Sequence, residues 1–203
     1  GQTNSATSRT QFQSVSFNED GSIASRAAGV AFPRRFQGNG GVEMVVTDLD
    51  GNGLNEIVFA SAGNTRDFTE NEDGRNTAPL SLLTVMIPQL DTQGNVSSFV
   101  RATGIPVIKV FNDETNPSGA MSVTALEADG NAANGKELVV GTGAVYQIDG
   151  YDITAINPAP VAKYSIIKLG FDGENITGLT AVTGIGGQPA VGRNAFPADL
   201  NPT

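Results

Sequence analysis

Short runs of alternating apolar and polar residues, separated by Gly, Asn and Asp, dominate the chain from residue 11 onwards. Residues 11–17 alternate in this way and lead into Asn18-Glu19-Asp20-Gly21, which is typical of a hairpin turn. Residues 57–60 form an apolar run and residues 80–90 are strongly apolar, over lengths that suit buried strands. We find no convincing helical pattern. The sequence therefore predicts an all-β protein of roughly eleven strands.

The predicted strands share a length of about four to eleven residues and turns rich in Gly, Asn and Asp. Those on which the interpretation depends cover residues 11–17, 22–30, 42–46, 57–60, 80–90, 96–105, 121–126, 161–169 and 176–185. Residues 1–10 have no apolar periodicity, and we expect a flexible or extended arm there. Residues 11–203 are expected to form one domain.

Three predicted hairpins align with one another along the chain. Their closing glycines, Gly29, Gly104 and Gly184, recur with a period of about 75–80 residues. A polar loop that begins at Asp48 recurs at Glu127, within the same period. One period therefore carries about four strands, and four antiparallel strands make up one blade of a β-propeller.

The polar loop contains oxygen ligands at alternating positions. Counted from Asp48, its side-chain ligands lie at positions 1, 3, 5 and 9, and Leu54 offers a backbone carbonyl at position 7. A hard cation such as Ca²⁺ binds carboxylate, amide and carbonyl oxygens together. Clustered acids also repel one another unless a cation neutralises them. We predict a calcium site formed by Asp48, Asp50, Asn52, Leu54 and Glu56, and the alternative is a polar turn between two strands.

The second copy of the loop departs from this pattern. Glu127 replaces the first aspartate, and two residues are inserted before Glu137. Asp129 and Asn131 still match the first loop. Two interpretations remain open: a second cation site formed by Glu127, Asp129, Asn131 and Glu137, or a loop that keeps only the turn.

The run from Asp48 to Val58 resembles the cation loop of FG-GAP/VCBS repeats, which are the blades of integrin-type β-propellers. The resemblance implies that the loop joins the first two strands of a four-stranded blade and binds calcium there. We therefore expect tandem four-stranded antiparallel blades of β-propeller type. Because a propeller needs about four blades to close, the set of blades is expected to be incomplete within one chain.

Composition excludes several classes of function. The net charge is −9 and no basic cluster occurs, which argues against a nucleic-acid partner. No apolar stretch is long enough to span a bilayer. Histidine and cysteine are both absent, which removes Ser-His-Asp catalysis, Cys-His catalysis and thiolate metal sites. We therefore expect a protein that is not an enzyme.

We expect a calcium-binding repeat protein that is extracellular or at the cell surface and that serves adhesion or self-assembly. Weak calcium sites stay filled outside cells, which is the reason for this localisation. Unpaired strand edges could be shared between chains, so we expect a homo-oligomer or a filament.

Two other functions remain open at this point. A lectin-like carbohydrate-binding module would use the loop that contains Tyr146, Asp149, Tyr151 and Asp152. A hydrolase or lyase would use a pair of carboxylates. Two glycosylation sequons, which begin at Asn95 and Asn175, also make an attached glycan conceivable.

Overall fold

The computed structural model describes residues 10–37, 41–63, 65–67, 80–111, 120–142, 147–148, 151–152, 163–182 and 193–194. In this part of the chain the protein is all-β, as the sequence predicts, and its only helical element is a 3₁₀ turn at Ala132–Asn134. No helix among these residues has the length and apolar character needed to cross a bilayer.

The strands pair in antiparallel fashion. In chain order they are β1 (Gln11–Phe17), β2 (Ile23–Val30), β3 (Phe36–Gln37), β4 (Val42–Thr47), β5 (Glu56–Ser61), β6 (Arg66–Asp67), β7 (Leu82–Leu90), β8 (Val96–Arg101), β9 (Ile108–Lys109), β10 (Met121–Leu126), β11 (Glu137–Thr142), β12 (Gln147–Ile148), β13 (Tyr151–Asp152), β14 (Lys163–Asp172), β15 (Asn175–Ala181) and β16 (Arg193–Asn194).

Two larger sheets have the same strand order. The first sheet is β4-β5-β7-β8, with β9 paired to β7, and the second is β10-β11-β14-β15, with β16 paired to β14. Strand β4 begins at Val42 and β10 at Met121, which is 79 positions later. Strand β5 begins at Glu56 and β11 at Glu137, which is 81 positions later. Each of these strands of the first sheet therefore has a counterpart in the second.

The middle strands of the first sheet, β5 and β7, are covered on both faces. On one face, Ile57 and Phe59 of β5 belong to a core with Phe32 and Phe36, and the ring of Phe12 from β1 lies 4.9 Å from that of Phe59. On the other face, the alternate residues of β5 and β7 pack into a larger core with the second sheet. That core includes Val58, Val85, Leu138, Val140 and Ile167. Burial on both faces explains why residues 57–60 are continuously apolar and why Thr84 is the single polar residue in 82–87.

Several predicted strand ends differ from the structure. The strand predicted over 96–105 ends at Arg101, because the chain turns to the second sheet after Ala102, whose N–H still donates to Val85. Thr103 donates its N–H to the carbonyl oxygen of Glu174 at 2.9 Å and accepts one from Ile176 at 3.0 Å. The strand predicted over 176–185 ends at Ala181. The arm predicted for residues 1–10 lies outside the described residues, except for Thr10.

The two polar loops contact each other through their backbones. Lys136 donates its N–H to the carbonyl oxygen of Asp48 at 2.9 Å. A Cβ atom placed on Gly135 would overlap the carbonyl group of Leu49, and one on Gly51 would overlap the carbonyl oxygen of Ala133. Gly135 also has a φ of 80°, which disfavours residues with a side chain. Both the positive φ and the close contact with Leu49 therefore require glycine at position 135.

We expect Gly135→Ala to lower the free energy of unfolding by about 2 kcal/mol or more, through backbone strain and the clash with Leu49. Gly130→Ala is the matched control, because Gly130 has a φ of 79° but open space around it. The control should lose only about 1 kcal/mol. Urea denaturation of both variants measures the difference, and equal losses would contradict the predicted contact.

Candidate metal centre

The first loop joins β4 to β5 and folds around the carboxylate of Asp48. Its Oδ1 accepts the N–H of Gly51 at 2.7 Å, and its Oδ2 accepts the N–H of Gly53 at 2.9 Å. Asn52 continues the pattern, because its Oδ1 accepts the N–H of Leu54 at 2.7 Å. The alternating polar side chains therefore satisfy the backbone donors of a tight loop.

Three carboxylates of this loop lie close together. One oxygen from each of Asp48, Asp50 and Glu56 lies within 4.8 Å of the other two. In the described part of the chain, no Lys or Arg forms an ion pair with any of them. Carboxylates at this separation repel one another unless they bind a cation or a proton. The cluster could hold a metal ion, and its oxygen-only ligands suit a hard cation.

Glu56 is the unusual member of the cluster, because its residue is only 1% exposed. Its Oε2 accepts the N–H of Leu49 at 2.8 Å, whereas its Oε1 has no hydrogen-bond partner among the described residues. Burial is the main cause that raises the pKa of Glu56 to about 7, and the charges of Asp50 and Asp48 act in the same direction. The N–H of Leu49 opposes this rise. A buried carboxylate oxygen without a partner is costly, and a bound cation would remove that cost.

The two remaining predicted ligands of the first loop, Asn52 and Leu54, are not part of this group of carboxylates. Asn52 lies beside the cluster and donates its side-chain N–H to Asp50 Oδ2 at 2.9 Å. Leu54 follows in the same turn, where its own N–H is bonded to Asn52. The roles of the Asn52 amide oxygen and the Leu54 carbonyl as metal ligands therefore remain predictions.

The second loop joins β10 to β11 and also brings its acids together. One oxygen from each of Glu127, Asp129 and Glu137 lies within 4.8 Å of the other two, so this group too could hold a metal ion by its geometry alone. Glu137 Oε2 accepts the N–H of Ala128 at 2.6 Å, as Glu56 accepts that of Leu49 in the first loop. Residues 132–134, in the longer stretch before Glu137, form the 3₁₀ turn.

Two asparagines of the second loop contact its acids. The N–H of Asn131 is 2.8 Å from Glu127 Oε1 and 2.9 Å from Asp129 Oδ1. This is a backbone contact, so a ligand role for the Asn131 side chain remains a prediction. The side-chain N–H of Asn134 donates to Asp129 Oδ2 at 3.1 Å. That hydrogen bond is the main cause that lowers the pKa of Asp129, and the charge of Lys168 contributes.

Lys168 of β14 enters the second loop, and the sequence interpretation missed it. Its Nζ donates to Glu137 Oε1, to Asn134 Oδ1 and to the carbonyl oxygen of Gly135, each at 2.6 Å. The signal in the sequence is a single lysine within the apolar run at residues 164–169. Asp50 of the first loop lines the same groove as Lys168 and Asn134.

The loop considered for carbohydrate binding lies only partly in the described chain. Tyr151 and Asp152 form β13, which pairs with β12. Tyr146 and Asp149 lie outside the described residues. The lectin interpretation therefore remains untested by the fold.

Comparisons with known proteins add no assignment at this point. A scan against protein-family models finds no match, and a search of curated proteins finds none.

The raised pKa of Glu56 predicts how stability depends on pH without a cation. Between its ordinary pKa of 4.5 and its folded-state pKa of about 7, the folded chain binds more protons than the unfolded chain. In a chelator, the free energy of unfolding should therefore fall as pH rises through this window, by about 3 kcal/mol. Urea denaturation at pH 5, 6, 7 and 8 measures this loss.

Two variants isolate the contribution of Glu56. Glu56→Gln should lose this pH dependence and, at pH 8 in chelator, should be more stable than the parent chain. Glu43→Gln removes an exposed carboxylate on neighbouring β4 and should keep the parent profile. Identical pH profiles for Glu56→Gln and the parent chain would contradict the assignment.

Proposed function

We propose that the chain is a non-catalytic, calcium-binding structural protein of the β-propeller type. The observation that carries the proposal is the buried Glu56, whose Oε1 lacks a partner beside Asp48 and Asp50. A calcium ion there neutralises three acids and joins the end of β4 to the start of β5. Its role is to stabilise the fold rather than to perform chemistry.

Calcium fits this loop better than the other common hard cation. Ca²⁺ accepts irregular sets of six to eight oxygens, whereas Mg²⁺ requires a near-ideal octahedron and keeps several waters. The loop offers three carboxylates and the predicted Asn52 and Leu54 oxygens within nine residues. Extracellular modules bind calcium with a Kd on the order of 10⁻⁴–10⁻³ M. An affinity in that range supports a function outside cells or at their surface.

The propeller part of the proposal is supported by the arrangement of the sheets. The four main strands of both larger sheets have the same order, and a polar loop joins the first two strands of each. The sheets pack face to face through one core. The resemblance of the first loop to FG-GAP/VCBS repeats points the same way. Closure into a ring takes more blades than these two, and neighbouring chains are the proposed source.

The adhesion or assembly role is supported by apolar residues exposed on β4. Met44 and Val46 are 55% and 52% exposed. Their counterparts on β10, Val123 and Ala125, are partly buried against the core between the two sheets, and β10 contacts β4. Met44 and Val46 therefore face the position that a sheet preceding the first one would occupy. We propose that a second copy of the chain covers this face.

Calcium should stabilise the chain by mass action. With a Kd on the order of 10⁻⁴–10⁻³ M, 10 mM CaCl₂ should add about 1–3 kcal/mol to the free energy of unfolding relative to chelator. Thermal melting at pH 8 should show the rise, and Glu56→Gln should abolish it. Asp91→Asn changes an exposed turn aspartate outside both clusters and should leave the calcium response intact. No calcium response in the parent chain would remove the metal proposal.

The assembly proposal predicts a mass above that of one chain in calcium. Size-exclusion chromatography with light scattering at micromolar to millimolar concentrations measures this mass. The double variant Met44→Thr, Val46→Thr should shift the chain toward the monomer. Leu90→Thr is the control, because Leu90 is also exposed but lies at the end of β7. A parent chain that stays monomeric over the whole range would contradict the proposal.

A further inference from the structure

The strands that lie beside the two polar loops, β7 and β14, differ at one position that faces the buried glutamate. In the first sheet, Ile57 pairs with Met86, so the next residues outward, Glu56 and Ile87, are neighbours on β5 and β7. In the second sheet, Leu138 pairs with Ile167, so Glu137 and Lys168 are the corresponding neighbours on β11 and β14. Lys168 therefore stands where the first sheet has Ile87.

This difference decides how each buried glutamate is neutralised. Glu137 is fully buried, and its Oε1 accepts the Lys168 ammonium at 2.6 Å. Glu56 is equally buried, but Ile87 is apolar and its Oε1 has no partner among the described residues. The remaining oxygens of the two glutamates make the same backbone hydrogen bond. The two buried glutamates are thus alike except for the source of positive charge beside them.

The Lys168 ammonium also fills the second loop geometrically. Its three hydrogen bonds go to Glu137, Asn134 and Gly135, which matches the three donors of a lysine side chain. The 3₁₀ turn supplies one of these three acceptors, Asn134, and Gly135 directly after the turn supplies another. A divalent ion bound to Glu137 Oε1 would have to displace or repel the ammonium.

We propose that the Lys168 ammonium replaces the divalent cation in the second loop. The second loop then carries its own cation and excludes calcium, so that of the two polar loops in the described chain only the first binds a calcium ion. The single ion in the first loop rests on the function proposed above. The exclusion of calcium from the second loop does not depend on that function.

Equilibrium dialysis with radioactive CaCl₂ tests this, at protein concentrations near the expected Kd. The parent chain should bind one ion per chain. Glu56→Gln should bind none, and Glu127→Gln, which alters the first position of the second loop, should still bind one. Lys168→Met should bind two, and Glu127→Gln added to Lys168→Met should return the count to one. Circular dichroism in calcium checks that each variant is folded.

The outcomes separate the two proposals. A parent chain that binds two ions, one of them lost in Glu127→Gln, overturns the exclusion of calcium from the second loop. A folded Lys168→Met variant that gains no ion overturns it as well. If Lys168→Met does not fold, the counts for the parent chain and Glu127→Gln decide. A parent chain that binds no ion removes the proposed function, whereas one ion gained in Lys168→Met would still support the inference.

Discussion

A buried glutamate at the junction of loop and strand is the constraint on which both polar loops depend. Glu56 and Glu137 each use one carboxylate oxygen to accept a loop N–H, which fixes the curvature of the loop. The second oxygen is then held away from water, where an unneutralised charge is costly. Positive charge from outside or from the chain itself is therefore needed for the ionised form. In the second loop Lys168 of a neighbouring strand supplies this charge, whereas the acids of the first loop could hold a cation from the solvent.

Much of the fold follows from local pattern. The strands at residues 11–17 and 121–126 coincide with the predicted ones, because their alternation and their turn residues agree. The three acids of the first loop are also brought together as predicted, since alternating ligands in a tight turn point to one side. In the described chain, the two-residue strands β3, β6, β9 and β16 escape prediction, because two residues carry no period.

Other features depend on contacts between distant residues and could not be read locally. Lys168 looks like an isolated charge within a strand until the register places it beside Glu137. The end of β8 at Arg101 depends on hydrogen bonds that Thr103 makes with the second sheet. Gly135 reads as an ordinary turn glycine, yet the backbone of Leu49 excludes any side chain there. In each case tertiary packing, rather than propensity, determines the role of the residue.

The contacts between layers have a consequence for how the chain reaches this structure. Ser25 and Val96, Arg101 and Val30, and Thr103 and Glu174 are each bonded across layers, and the members of each pair are 71 residues apart. Within each of the two larger sheets the four main strands lie side by side in chain order, β4-β5-β7-β8 and β10-β11-β14-β15. The entropic cost of bringing residues 71 positions apart together grows only slowly with loop length, and each sheet packs only against the adjacent sheet. Folding can therefore advance sheet by sheet along the chain, as it does in quasi-one-dimensional proteins, with each completed sheet acting as the template for the next.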